Sequence, residues 1–116
     1  ICGIGAYYET RAFDYLKGLG YRFVARNVRN KCGELDGIFL DGEVYVFVEV
    51  KYRKDESFGS PLEFIDHKKR RRISRASVYF LIGRGLTMDT PCRYDCIGIT
   101  GDGRIRHIKN AFEYTG

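Results

Sequence analysis

Apolar and polar residues change their spacing several times along the chain. Tyr8, Ala12, Tyr15, Leu16 and Leu19 recur at helical intervals, and Gly18-x-Gly20 supplies a stop, so an amphipathic helix is predicted over Tyr7–Lys17. Tyr21–Asn27 reads as a first strand. Glu34–Leu40 and Val44–Val50 are rich in β-branched and aromatic residues and read as two further strands. Asp41-Gly42 between them is a hairpin signal, because both residues tolerate positive φ. Pro61 suits the first turn of a helix, where its missing N–H leaves no bond unmade. A long helix is expected from Pro61 to about Ile82, with Leu62, Ile65, Ile73, Ala76 and Phe80 as its inner stripe. Arg93–Thr100 reads as a fourth strand, and Gly101-Asp102-Gly103 turns it into a fifth at Arg104–Lys109. The tail, Asn110–Gly116, is expected as short helix or coil. The order is αβββαββ, an α/β arrangement that the length of 116 residues fits as one domain spanning residues 1–116.

The hairpin concentrates charge. With Asp41-Gly42 as a two-residue loop, Asp36 faces Phe47 and Glu34 faces Glu49. Side chains alternate across a strand, so Glu34, Asp36, Glu49 and Lys51 share one face, with Asp36 diagonal to Glu49 at roughly 7–8 Å. The opposite face carries Leu35, Phe39, Val44, Val46, Val48 and Val50. Ile38, Tyr45 and Phe47 line the charged face, so both sides are expected to be covered, as in a central strand. Carboxylates crowded in a half-buried place are costly without a cation. Hard cations such as Mg²⁺ or Mn²⁺ take carboxylate oxygens and water. Asp36 and Glu49 are the candidate ligands, the Val50 carbonyl a further one, and Lys51 is placed to orient or deprotonate a water. The plain alternative is a hairpin whose ends carry ordinary solvated charges. Glu9 has two readings, a carboxylate aimed at the sheet edge or an acidic residue in a first helical turn, where the helix dipole favours it.

Charge distribution adds a partner. The net charge is +5, and Lys68, Lys69, Arg70, Arg71, Arg72 and Arg75 place six cations within eight residues, while the other 14 basic residues face 15 acidic ones. The excess is one local patch, the footprint expected for a phosphate backbone; a solvated helix face or a patch for acidic lipid are the alternatives. Arg26 and Arg29 lie in a basic connection into the hairpin and are candidates for phosphate contact, as is Arg72. Lys69 falls on the inner stripe of its helix, from which it either snorkels to solvent or reaches a scissile phosphate. The four cysteines, Cys2, Cys32, Cys92 and Cys96, lack a Cys-x2-Cys clip, and free thiols are expected rather than a cluster or zinc site. No apolar run approaches a membrane span and no signal-like start is present, which points to the cytoplasm and away from membranes.

The chain as a whole resembles the YraN-like family, bacterial proteins assigned to the PD-(D/E)XK nuclease superfamily and distantly similar to archaeal Holliday junction resolvases. The residues that carry the resemblance are Glu9-x-x-Ala12-x-x-Tyr15-Leu16, Gly20-Tyr21, Arg26-Asn27-x-Arg29, Gly33-Glu34-Leu35-Asp36, Phe47-Val48-Glu49-Val50-Lys51-x-Arg53, Phe58-Gly59-x-Pro61, Lys69-x-x-Arg72, Arg93-Tyr94-Asp95 and His107-Ile108-x-Asn110-Ala111-Phe112. They run in order from about Gly5 to Phe112. The resemblance implies a restriction-endonuclease-like core, a central mixed β-sheet flanked by helices, in which Asp36 and Glu49 hold the metal, Lys51 sits beside the water, and Glu9 adds a carboxylate. Two positions depart from the family pattern. Tyr8 replaces a small residue, and Gly37 replaces a bulkier apolar one. The expected activity is metal-dependent hydrolysis of phosphodiester bonds in DNA rather than RNA, with Lys68, Lys69, Arg70, Arg72, Arg26, Arg29 and Arg53 on the phosphates. Similarity to junction resolvases implies branched or recombination intermediates, a homodimer, and recombination or repair proteins as partners. The alternative is a module of the same fold that grips nucleic acid without cutting it.

Overall fold

In the computed structural model, which describes residues 4–53 and 65–116, the elements follow the order αβββαββ. They are α1 (Ile4–Gly18), β1 (Arg22–Asn30), β2 (Gly33–Asp41), β3 (Val44–Arg53), α2 (His67–Gly83), β4 (Cys92–Thr100) and β5 (Ile105–Phe112). The five strands form one sheet in sequence order. Neighbours are antiparallel except β3 and β4, which are parallel. A parallel pair needs a crossover, and α2 lies in it. The result is a mixed sheet with one helix on each face, consistent with a restriction-endonuclease-like core.

Each face buries its own cluster. Ala12, Phe13 and Leu16 of α1 pack on Phe39, Val46, Val48, Ile97 and Ile99. On the other side Ile73, Ala76 and Leu81 of α2 pack on Ile38, Phe47, Tyr94, Cys96 and Phe112. Strands β3 and β4 are therefore covered on both sides, which accounts for their near-continuous apolar runs. Polar atoms inside α2 are also satisfied. The Ser77 hydroxyl donates to the Ser74 carbonyl and lies 2.7 Å from the Tyr94 hydroxyl.

Several expectations are corrected. Leu19 is 52% exposed, because α1 stops at Gly18 and the chain turns away; Phe13 fills the inner stripe instead. The second helix starts at His67, not as one run from Pro61. Asp66 is its N-cap, with its carboxylate accepting the Lys69 N–H at 2.8 Å. Pro61, Leu62 and the Phe58-Gly59 segment lie outside the described residues. The tail is not helical where it meets the sheet: β5 continues to Phe112, whose ring stacks on Tyr94 with centroids 4.9 Å apart. Asn110, at φ 52, absorbs a register shift within that pair.

The hairpin register differs from the expected one by two residues. Asp41 pairs with Val44, so the loop is Gly42-Glu43, with Gly42 in the left-handed region at φ 64. A two-residue shift preserves side-chain parity, and the pairing stops at Gly37 and Val48, one residue short of Asp36 and Glu49. Leu35 is the exception, since it joins Ile38 and Phe47 in the α2 cluster rather than the α1 face. The alternation breaks at Asp36, across from Asn27, which has φ 52.

Candidate functional site

The break at Asp36 builds the site. Regular pairing of β2 with β3 ends at Gly37 and Val48. Beyond it the Asp36 carboxylate takes the place of a backbone acceptor: its Oδ2 receives the Val50 N–H at 2.9 Å. The carboxylate is thereby fixed at the splayed end of the hairpin, next to Glu49. Glu49 is 4% exposed, at the end of an otherwise apolar run in β3. On the face of the sheet that α2 covers, Lys69 in the first turn of that helix brings its Nζ to 3.1 Å from Glu49 Oε1.

The electrostatics follow from burial. Loss of water, then the neighbouring Asp36 charge, pushes the Glu49 carboxyl up to about 7, against the pull of Lys69 and Lys51. Burial also raises Asp36, although the Val50 N–H and the Lys69 charge oppose it. Burial alone would lower Lys69, but the adjoining Glu49 carboxylate outweighs it and holds the ammonium above its usual range. Two carboxylates that resist ionising together are a favourable seat for a cation.

Glu9 sits in the second turn of α1, because the helix begins at Ile4, so the first-turn dipole reading does not apply. Its carboxyl is raised by burial and then by Asp36, while Arg26 lies 3.4 Å away. α1 therefore does bring Glu9 within electrostatic range of Asp36. Among the described residues, however, no three aspartate, glutamate, histidine or cysteine side chains gather closely enough to hold a metal by themselves. A donor set here would be the two carboxylates of Asp36 and Glu49, with backbone, water and phosphate left to complete it. That set suits Mg²⁺, which keeps several waters and binds through one or two carboxylates plus substrate phosphate.

The two departures from the family pattern have local explanations. A Cβ on Gly37 would meet Phe13 Cε1 at 2.6 Å, so the glycine lets the α1 ring lie directly on β2 beside Asp36. Tyr8 stacks on Tyr52, one residue past Lys51, with centroids 4.2 Å apart. Both contacts dock α1 against the site.

The basic residues divide into two groups. Arg26 is engaged internally, bound to Glu9 and Thr10 and stacked over Phe13 at 4.9 Å. Arg70 turns inward, donating to the Ile65 carbonyl at 3.0 Å and lying over Phe112. Arg53 donates to the Tyr52 carbonyl at 3.3 Å. By contrast, Arg29, Lys31, Lys69 and Arg72 line an open cleft of about 400 Å³ that begins beside Glu34. A second cleft of about 450 Å³ shares Lys31 and Arg72 with it and adds Lys68, Arg71 and Arg75. Lys31, Arg71 and Arg75 line these clefts, whereas Arg26 and Arg70, also candidates for phosphate contact, are engaged internally. The signal for the difference is helical phase: 68, 71, 72 and 75 share the outer side of α2, and 70 does not.

On the α1 face of the sheet, where Asp95 pairs with Val48, a buried polar network holds β4 and β5 together. Asp95 is fully buried and binds Arg93 Nε at 3.0 Å, His107 Nε2 at 2.8 Å and the Asn110 N–H at 3.0 Å. Arg93 continues to Asp41 at 3.0 Å and to the Tyr21 hydroxyl at 2.6 Å. Burial would raise Asp95, but these donors outweigh it and hold the carboxyl below its usual range. His107 thus has a structural place on β5. Cys32, Cys92 and Cys96 are free thiols, with Cys96 pushed up to about 12 by burial and then by Glu49; Cys2 lies outside the described residues. No described helix is long and apolar enough to cross a membrane.

Comparison with known proteins gives the family. The Uncharacterised protein family UPF0102 matches residues 8–99. A UPF0102 protein of Serratia proteamaculans is 44% identical over 110 residues, covering 94% of this chain and 93% of the relative. One from Pseudomonas entomophila is 42% identical over 109 residues, covering 90% and 89%. One from Pectobacterium carotovorum is 42% identical over 113 residues, covering 97% and 95%. With its fold, its hairpin motif and relatives matched over nearly their whole length, the chain belongs to the UPF0102, or YraN-like, family.

Proposed function

We propose that this protein is a metal-dependent nuclease that hydrolyses phosphodiester bonds in DNA. The observation that carries the reading is Asp36, bonded to the Val50 N–H, close enough to the buried Glu49 to raise its carboxyl, with Lys51 and Lys69 beside them and a basic cleft adjoining. Asp36, Glu49 and the Val50 carbonyl would hold Mg²⁺ or Mn²⁺. Bound there, the ion supplies Lewis-acid neutralisation of phosphate charge and makes water more acidic. The protein's own groups do the rest. The Val50 N–H keeps Asp36 in one orientation. Lys51 would position the attacking water, and Lys69, which pairs with Glu49 and also lines the basic cleft, would hold a phosphate beside that carboxylate. Arg72, Lys68 and Arg29 hold backbone phosphates, which sets position and not sequence. Branched or recombination intermediates are the substrate the family resemblance favours.

The test is a panel of single-stranded, duplex, flap and four-way-junction DNA with Mg²⁺ or Mn²⁺, run on wild type, Asp36→Asn, Glu49→Gln and Lys51→Ala. Cleavage by wild type that all three substitutions abolish is expected. Cleavage that survives all three would place the activity elsewhere.

A second reading draws on the Lys69–Glu49 pair, which already neutralises one carboxylate from within the chain. On that reading the protein grips nucleic acid without cutting it. Salt-sensitive binding that persists in Asp36→Asn, with no cleavage by wild type under any metal, would favour it.

A further inference from the structure

Between β1 and the C-terminal half of α2 lies a hollow of about 290 Å³ that the carboxylate site does not use. It is walled by Val28, Tyr79 and Phe80 and rimmed by Arg29 and Arg84. Its size is at the lower end of small-molecule pockets, roughly 300–1,000 Å³, so it suits a single ring system. Tyr79 is 45% exposed, and Lys31 Nζ lies 5.6 Å from its ring centroid. The Arg84 guanidinium lies 5.4 Å from the Phe80 ring. The hollow also shares Arg29 and Asn30 with the basic cleft, so the two adjoin.

Helical phase orders these residues. Lys68, Arg72, Arg75 and Tyr79 follow at intervals of three or four, with Arg71 next to Arg72, so they succeed one another along one side of α2. At 1.5 Å per residue, Tyr79 stands about 15 Å farther along the helix than Lys69. A row of cations ending in an exposed aromatic ring matches a strand that presents both phosphates and an open base face. Duplex DNA keeps its base faces stacked inside and offers only phosphates and groove edges. Single strands expose a π-face on every base, and aromatic side chains beside basic tracks are how proteins hold them.

We propose that this hollow is a stacking subsite for an unpaired nucleobase of a single-stranded DNA segment, whose backbone runs along Arg75, Arg72 and Lys68 toward the carboxylates. The inference rests on the nuclease reading only in taking the outer side of α2 as a phosphate track. It narrows the substrate to DNA with an unpaired segment some distance from the scissile bond.

The experiment is fluorescence anisotropy in EDTA, which removes cleavage from the measurement, using a labelled oligothymidylate and a blunt duplex of equal length. Tyr79→Ala should weaken oligothymidylate binding about tenfold, in the range of one lost stacked base. Tyr79→Phe should bind within about twofold of wild type, because the ring face remains. Duplex binding should not change in either variant. The slope of log K against log salt should be unaltered in Tyr79→Ala and shallower by about 0.7 in Arg75→Ala, which removes one phosphate contact. Unchanged oligothymidylate binding by Tyr79→Ala would overturn the proposal, as would an equal loss on duplex. Self-association of wild type that Tyr79→Ala abolishes in sedimentation velocity would make the hollow a subunit contact and overturn it too. Wild type that binds neither DNA would remove the nuclease reading along with it, which separates that failure from failure of the subsite alone.

Discussion

Lys69 Nζ lies 3.1 Å from Glu49 Oε1, the lysine from the helix of the crossover that joins β3 to β4 and the glutamate from β3 itself. The pair brings a helix-borne cation to a strand-borne carboxylate that is almost completely buried. It compensates only part of the burial, since Glu49 remains protonated up to about pH 7. That incomplete compensation shapes the first two predictions.

Ionised Glu49 should destabilise the fold. A carboxyl raised from its ordinary value to about 7 makes the native state bind its proton more tightly than the unfolded chain does. Stability therefore falls as pH rises through the interval between those two values and stays low above it. Glu49→Gln lacks this loss. Urea denaturation in EDTA should show the variant gaining on wild type by about 2 kcal/mol between pH 5 and pH 8. A difference between the two proteins that does not change with pH would show that Glu49 does not titrate in this range.

Metal binding should release a proton. Ions and protons compete for Glu49, so Mn²⁺ affinity measured by calorimetry should be roughly tenfold weaker at pH 6 than at pH 8. The apparent enthalpy should vary with the ionisation enthalpy of the buffer. Glu49→Gln should abolish both dependences. Equal affinity at the two pH values would place the ion away from this carboxylate.

Asp95→Asn should be strongly destabilising. The substitution leaves Arg93 and His107 facing a neutral group in a fully buried place, and breaking such a pair costs about 3–5 kcal/mol. The sign with pH is opposite to that of Glu49. Asp95 is held below its ordinary value, so its contribution is complete above that value and is lost as pH falls through the folded one. Wild type should lose stability below about pH 4 more steeply than Asp95→Asn. Parallel acid limbs in chemical denaturation would contradict this.

Gly37→Ala should disturb the docking of α1. The added Cβ meets the Phe13 ring at 2.6 Å, inside contact distance, and overpacking of this kind costs about 1–3 kcal/mol. In a Phe13→Ala background the same change should be nearly neutral. The coupling in a double-mutant cycle measures the contact. Additive losses would mean that Gly37 is needed for backbone freedom and not for the ring.

Much of this molecule is written in local pattern. Helical and alternating periods mark α1, the hairpin and the strands β4 and β5, because each element must present an apolar face and polar residues fall elsewhere. The period of two also placed Glu49 and Lys51 on one side of β3 with Phe47, and a register error of two residues could not disturb that parity. Leu35 shows where the rule stops: a break in pairing at Asp36 sent it to the opposite face.

Contacts between distant segments decided the remainder. Nothing near Lys69 in the chain announces Glu49, which lies 20 residues earlier. Whether Arg70 turns in to Ile65 or Arg71 and Arg75 turn out depends on where Asp66 starts the helix and how that helix settles on the sheet. The Asp41–Arg93–Asp95–His107 network likewise joins β2, β4 and β5, and Gly37 has meaning only against Phe13 of α1. Periodicity is a property of neighbouring residues, whereas a buried charge finds its partner only when packing has excluded water from both.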